Sequence, residues 1–191
     1  MFNKDKRIEY VNLIGDISYE SANSVINHLF QANKRNDAIV LTMASGGGDV
    51  YAGMSIIEAM KFIQTPVFTH AIGFIGSMAV NVFLEGEKRF VAPNVGFMIH
   101  ESNGEYSGDF DNIKNTLEFE KYYDDHLNMR IIATSGFSEE SLKKTLAKKH
   151  DVYFTPDKVL SCGFVENASY VVRSQKELEE KILNHISEKQ N

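Results

Sequence analysis

Ala38-Ile39-Val40-Leu41-Thr42-Met43-Ala44-Ser45-Gly46-Gly47-Gly48 is the stretch from which the fold can be read. Six residues of it form a nearly continuous apolar run. Runs of that kind belong to strands covered on both faces, as in parallel sheets. The glycines that follow mark a sharp exit from the strand, and a helix-like pattern begins at Val50. Its apolar residues Met54, Ile57, Met60 and Ile63 recur at helical spacing, while Glu58 and Lys61 mark a wetter face.

The same grammar extends outward in both directions. Upstream, Tyr10–Ile14 reads as a short strand. Ser18 then caps a helix to about Asn33, with Ala22, Val25, Ile26, Leu29 and Phe30 on one face. Downstream, Val67–Ile72 is a strand, Gly73 a turn, and Ser77–Leu84 a helix. Arg89–Val91 and Gly96–His100 read as further strands. Up to Val91 the order is β-α-β-α-β-α-β, which implies parallel strands joined by right-handed crossovers. Ligands of such sheets bind at the carboxyl ends of the strands.

After His100 the style changes. Asn103–Gly108 is a loop or small hairpin. Phe110–Thr134 is a long, charged, aromatic-rich helix expected to project and pack on a partner. Ser138 caps a helix to about Lys149, and Thr155-Pro156-Asp157 opens a short one that ends at Gly163, with Cys162 inside it as packing. Gln175–Lys189 is a polar amphipathic helix. The 191 residues are expected to form one domain.

Composition excludes several classes. Apolar residues make up 43% of the chain and the net charge is −6, so neither disorder nor a basic nucleic-acid face is expected. One cysteine allows no internal disulfide and fits a reducing, cytoplasmic setting. Met1–Arg7 lead into no apolar stretch, so no secretory signal is expected. The uncharged segment between Lys61 and Glu85 is broken by Pro66, Gly73, Gly76 and Asn81, and reads as a buried strand and helix rather than a membrane span.

The chemistry gathers at strand ends. Ser77 stands at a strand-to-helix corner in Gly73-Phe74-Ile75-Gly76-Ser77-Met78-Ala79, which is not the G-x-S-x-G elbow of other hydrolases. His100 closes another strand. The glycine run lacks the lysine and hydroxyl of a phosphate loop, and its functional reading is a backbone N–H aimed at an oxyanion. A corner serine, a strand-end histidine and such a loop are the parts of a nucleophilic hydrolase. The other histidines read as surface residues (His28, His126, His150, His185) or as a core or pocket residue (His70). A third member stays open among Asp49, Glu101, Asp109, Asp111 and Asp151. No metal-ligand spacing and no cofactor motif is present, so none is expected.

Taken together, Ser45–Gly48 with Ala52-Gly53-Met54, Gly76-Ser77-Met78, Lys88-Arg89-Phe90 with Pro93-Asn94, Met98-Ile99-His100, and Asp151–Phe154 leading to Cys162–Val165 resemble the proteolytic-subunit (ClpP-like) family of the Clp protease, over about Arg7 to Glu166. The resemblance implies an α/β spiral of ββα units of the ClpP/crotonase type, with Phe110–Thr134 as a protruding handle helix. It implies a serine endopeptidase with Ser77 as nucleophile, His100 as base and Asp151 orienting the imidazole. Its oxyanion hole would be the backbone N–H groups of Gly48 and Met78. It further implies a homo-oligomeric heptameric ring, alone or doubled to a tetradecamer, acting on peptides or unfolded chains.

Three departures stand out. Gly46 occupies the position where the family usually has proline, which loosens the loop. The family's axial N-terminal loop has no counterpart ahead of the first strand, which weakens the case for a Clp ATPase as partner. Lys149-His150 replace an Asp-Arg pair used between rings, so an altered double ring is expected. A crotonase-type acyl-CoA enzyme, a non-catalytic ring subunit and a phage-type head maturation protease are the alternative readings.

Overall fold

A computed structural model describes residues 6–148 and 150–189; Met1–Asp5, Lys149, Gln190 and Asn191 lie outside it. The secretory-signal reading of the N-terminus and the Lys149 half of the ring-pairing expectation therefore fall largely outside the described residues. The elements in chain order are β1 (Ile8–Ile14), α1 (Tyr19–Ala32), β2 (Ala38–Ser45), α2 (Val50–Phe62), β3 (Val67–Gly76), α3 (Met78–Leu84), β4 (Arg89–Val91) and β5 (Gly96–Ile99). Then follow α4 (Phe110–Thr134), α5 (Glu139–Leu146), β6 (Val152–Phe154), α6 (Pro156–Ser161), a 3-10 turn (Ala168–Tyr170) and α7 (Gln175–Lys189).

The sheet runs β1-β2-β3-β5-β6, with β4 also paired to β3. All pairs are parallel except β5 with β6. This is the expected mixed α/β architecture. Side-chain alternation along β2 explains why its sequence is apolar at nearly every position. Ile39, Leu41 and Met43 face one core, shared with α1, α2 and α3. Ala38 and Val40 face the other, where Phe68 and Phe90 meet Leu178, Ile182 and Ile186 of α7.

β3 departs from the expected strand-turn-helix order. Gly73 does not end the strand; it takes φ +84° and the strand continues to Gly76. Between Met43↔Ala71 and Ser45↔Ile75 the partner β2 advances two residues while β3 advances four. This bulge sits where β3 exchanges partners: Thr69–Ala71 pair with β4, and Phe74–Gly76 pair with β5. Glycine fits there because L side chains resist a positive φ. The consequence is functional, since the second half of β3 delivers Ser77 beside β5.

Other expectations need smaller corrections. Asn103–Gly108 forms no strand, so it is the loop of the two readings. α5 stops at Leu146 rather than near Lys149. Cys162 follows α6 as its cap rather than lying inside it, and is half-buried against the main core. β6 was not foreseen as a strand. His70 is half-buried within β3, and burial pushes its pKa below the ordinary histidine value.

α4 has the expected bounds. Only Leu127 and Ile131, in its second half, are buried. Phe110, Leu117, Phe119 and Tyr122 remain exposed along the first half. Tyr51 of α2 ties that half down by donating to Glu120 at 2.6 Å and packing its ring against Phe119 and Tyr123.

His185 is not a simple surface residue. It is half-buried, stands edge-on to Phe68, and its Nε2 lies 2.7 Å from Glu87 Oε1, which also takes Lys189 Nζ at 2.6 Å. Burial pushes the Glu87 carboxyl up, but Lys189 and His185 outweigh it and hold it below its ordinary value. A carboxylate depressed in the fold stabilises above its unfolded pKa and loses that contribution as pH falls through the folded one. Glu87→Gln should therefore lower the unfolding midpoint at neutral pH. The gap from wild type should close as pH drops below about 4. Thermal melts across that range check it; a gap that persists in acid would contradict it.

Candidate active site

The corner at Ser77 is built by strand pairing and strain together. Ser77 follows Gly76 directly and caps α3 with φ 51°, ψ −128°, a conformation that L residues other than glycine rarely hold. Two backbone bonds pin it: its N–H donates to the Met98 carbonyl at 2.9 Å, and its carbonyl accepts from Val80 N–H at 3.0 Å. The side chain is thereby left out of the capping role, with no hydrogen bond to the helix backbone.

β5 lies beside this half of β3, with Gly76 opposite Met98. His100 follows β5 by one residue, so both side chains leave adjacent strand ends. His100 Nε2 lies 2.7 Å from Ser77 Oγ. Its Nδ1 lies 2.8 Å from the Glu101 carbonyl oxygen. A carbonyl only accepts, so Nδ1 carries the proton and Nε2 is the acceptor. The Ser77 hydroxyl therefore donates to Nε2, which is the tautomer a general base requires.

The glycine loop closes over the same corner. A Cβ on Gly47 would lie 2.7 Å from Ser77 Cβ and 3.0 Å from Met78 N, and Gly47 takes φ +101°. Only glycine allows so close an approach. The loop is held from the other side by the connection between β1 and α1: Ile17 N–H donates to the Gly47 carbonyl and Asp49 N–H to the Ile17 carbonyl, both at 2.8 Å. Among the described residues, Gly48 N–H, between them, donates to no backbone acceptor. Met78 opens α3, and the first N–H groups of a helix have no intrahelical acceptor.

The five acids left open in the sequence separate by role. Asp49 and Asp109 are helix caps, accepting from Ala52 N–H at 2.8 Å and Asn112 N–H at 3.0 Å. Asp111 is exposed in the first turn of α4. Glu101 reaches the imidazole through its backbone rather than its carboxylate. His100 and Asp151 each lie one residue beyond the last antiparallel pair of β5 and β6, Ile99 with Val152. The Asp151 carboxylate accepts instead from Tyr153 Oη at 3.1 Å, which pushes the phenol pKa up. No hydrogen bond or ion pair joins Asp151 to His100.

A cavity of about 270 Å³ opens beside the serine, between α3 and α4. Ser77, Met78 and His100 line it, and so do two residues the sequence reading had not assigned to the site, Asn81 and Asp124. Asp124 accepts from Ser102 Oγ. Burial pushes its pKa up, and the neighbouring charges of Glu120, Glu101 and Asp125 add to that against the Ser102 bond. The one available signal for Asn81 was an amide within the apolar run Ala79-Val80-Asn81-Val82-Phe83-Leu84. Among the described residues, no group of three or more His, Cys, Asp or Glu side chains is placed to hold a metal ion, and no helix is long and apolar enough to cross a membrane.

Comparison with known proteins places the chain in a family. The family model described as Clp protease matches residues 2–172. The ATP-dependent Clp protease proteolytic subunit of Streptococcus thermophilus is 28% identical over 160 residues, covering 82% of each chain. The subunit of the same name from Streptococcus salivarius is 27% identical over the same length and share. With nearly its whole length matched by that model and its α/β fold in accord, the chain belongs to the Clp protease family.

Proposed function

We propose that this protein is a serine-type endopeptidase that cleaves peptides or unfolded polypeptides. The observation that carries the reading is the 2.7 Å contact of Ser77 Oγ with His100 Nε2, in the tautomer that accepts the hydroxyl proton. Ser77 Oγ attacks the peptide carbonyl as its proton passes to Nε2. The Gly48 and Met78 N–H groups receive the developing oxyanion, each such donor being worth about 3–4 kcal/mol in the transition state. The imidazolium then returns its proton to the leaving amine, and water, deprotonated by His100, releases the acyl group.

Asp151 is the orienting acid of this relay. Turning its carboxylate from Tyr153 toward Nδ1 would replace the neutral Glu101 carbonyl by a charged acceptor, which stabilises an imidazolium better. The chain works as a heptameric ring, single or doubled, and the exposed Phe110, Leu117, Phe119 and Tyr122 of α4 supply apolar surface for that assembly. A Clp ATPase would feed it unfolded chains. His150 Nδ1 lies 2.8 Å from the Lys148 carbonyl oxygen, and with Lys149-His150 in place of the usual Asp-Arg the ring-to-ring pairing is altered.

Quenched fluorescent casein tests the reading. The purified protein should release fluorescence and should show no affinity for acyl-CoA thioesters. No cleavage in any assembly state, together with CoA-thioester binding, would move the chain to the crotonase class.

A further inference from the structure

The imidazole and the acid proposed to orient it are each bonded to something else. On one side, the Asp151 carboxylate accepts from Tyr153 Oη at 3.1 Å. That phenol is held in place by its ring, which packs against Phe74 of β3 at 6.3 Å between centroids. On the other side, His100 Nδ1 donates to the Glu101 carbonyl at 2.8 Å. The next residue, Ser102, donates its hydroxyl to the Asp124 carboxylate on α4. Among the described residues, 102–107 make no backbone-to-backbone hydrogen bond, and the Ser102 bond is the one that ties them to α4. It therefore fixes the peptide whose carbonyl occupies Nδ1.

We propose that Tyr153 and Ser102 are positioning residues that hold the relay in a resting form, and that turnover requires Asp151 to leave the phenol and Nδ1 to leave the Glu101 carbonyl. The inference rests on the hydrolytic reading above, with Asp151 as its acid, and adds a restraint on its rate. In the resting form the Ser77 hydroxyl already donates to Nε2. An imidazolium formed there would find only a neutral carbonyl at Nδ1. After the exchange it finds a carboxylate, and a charged acceptor makes a bond roughly twice as strong. The exchange moves hydrogen bonds alone: the phenol and the Glu101 carbonyl turn to water as Asp151 takes Nδ1–H. Because water replaces what each group gives up, the two forms lie close in free energy, and a single hydroxyl is enough to bias them.

The fold needs neither hydroxyl. Tyr153 is 61% exposed and Ser102 is exposed, so removing either oxygen opens no cavity. A phenylalanine at 153 keeps the ring on Phe74 and leaves the carboxylate free to turn. The rival role for Tyr153 is to steady Asp151 for the reaction. In that case loss of the hydroxyl would slow the protein, so the sign of the change separates the two.

The test compares fluorophosphonate labelling rates, and kcat and KM on quenched fluorescent casein, across a small set of variants. Tyr153→Phe should raise the labelling rate and kcat by about fivefold, with KM unchanged and the thermal melt near that of wild type. Ser102→Ala should raise them as well, and Ser102→Thr, which keeps the hydroxyl, should behave as wild type. In an Asp151→Ala background Tyr153→Phe should change nothing, because the gain passes through that carboxylate. A gain that persists without Asp151 overturns the proposal. So does a folded Tyr153→Phe or Ser102→Ala protein that is slower than wild type. A wild type that labels, with Tyr153→Phe no faster, overturns the restraint and leaves the hydrolase standing. No labelling in any of these proteins overturns the hydrolytic reading and the restraint with it.

Discussion

Ser77→Ala is expected to lower kcat for a fluorogenic peptide by about 10⁶-fold, and His100→Ala by a similar factor. The two losses should not add in the double variant, because each removes the same proton transfer. The expectation follows from the 2.7 Å contact and from the tautomer fixed by the Glu101 carbonyl. A residual rate above that of uncatalysed hydrolysis should remain, since the Gly48 and Met78 donors survive both changes. The stability of Ser77→Ala should be near that of wild type: the hydroxyl caps no helix, and the strained backbone is held by the bonds to Met98 and Val80. Equal losses with additive behaviour would mean that the two side chains act separately.

Asp151→Ala should lower kcat by about 10⁴-fold, the size of loss seen when the orienting acid of a triad is removed. The structure makes this a demanding expectation. Asp151 and His100 stand one residue beyond the last pair of β5 and β6, yet the Asp151 carboxylate bonds Tyr153. A loss under about tenfold would leave the Glu101 carbonyl as the imidazole's own support and remove Asp151 from the relay. Steady-state kinetics on folded protein, with KM followed separately, distinguish the two.

Much of the fold, and the strand-end placement of the candidate residues, is legible in local sequence. The apolar run Ala38–Met43 is continuous because β2 has a core on each face, and that pattern is written in local sequence. The glycines at 46–48 and the serine at 77 follow strands, so their place at carboxyl ends came with the β-α alternation. α4 was bounded correctly because it starts at a capping aspartate and ends before Gly136. What escaped was set by contacts between distant segments. Gly73 reads locally as a stop; only the exchange of β4 for β5 as partner makes it a bulge. β6 has three residues, too few to carry a period, and exists because β5 offers it an edge. His185 looks like a helix-surface residue until Glu87, 98 positions earlier, closes on it. The direction of the Asp151 carboxylate is a rotamer choice, invisible to any pattern of residue types. Asn81 was one amide in an apolar helix, and its meaning depended on the cavity that α4 completes.

The central claim is that Ser77, activated by His100, is the nucleophile. Peptide mapping by mass spectrometry after reaction with a fluorophosphonate addresses it directly. A single stoichiometric adduct on the peptide that contains Ser77, absent when His100 is alanine, is the expected result. An unmodified Ser77 in folded, assembled protein, or an adduct on some other residue, would contradict the account.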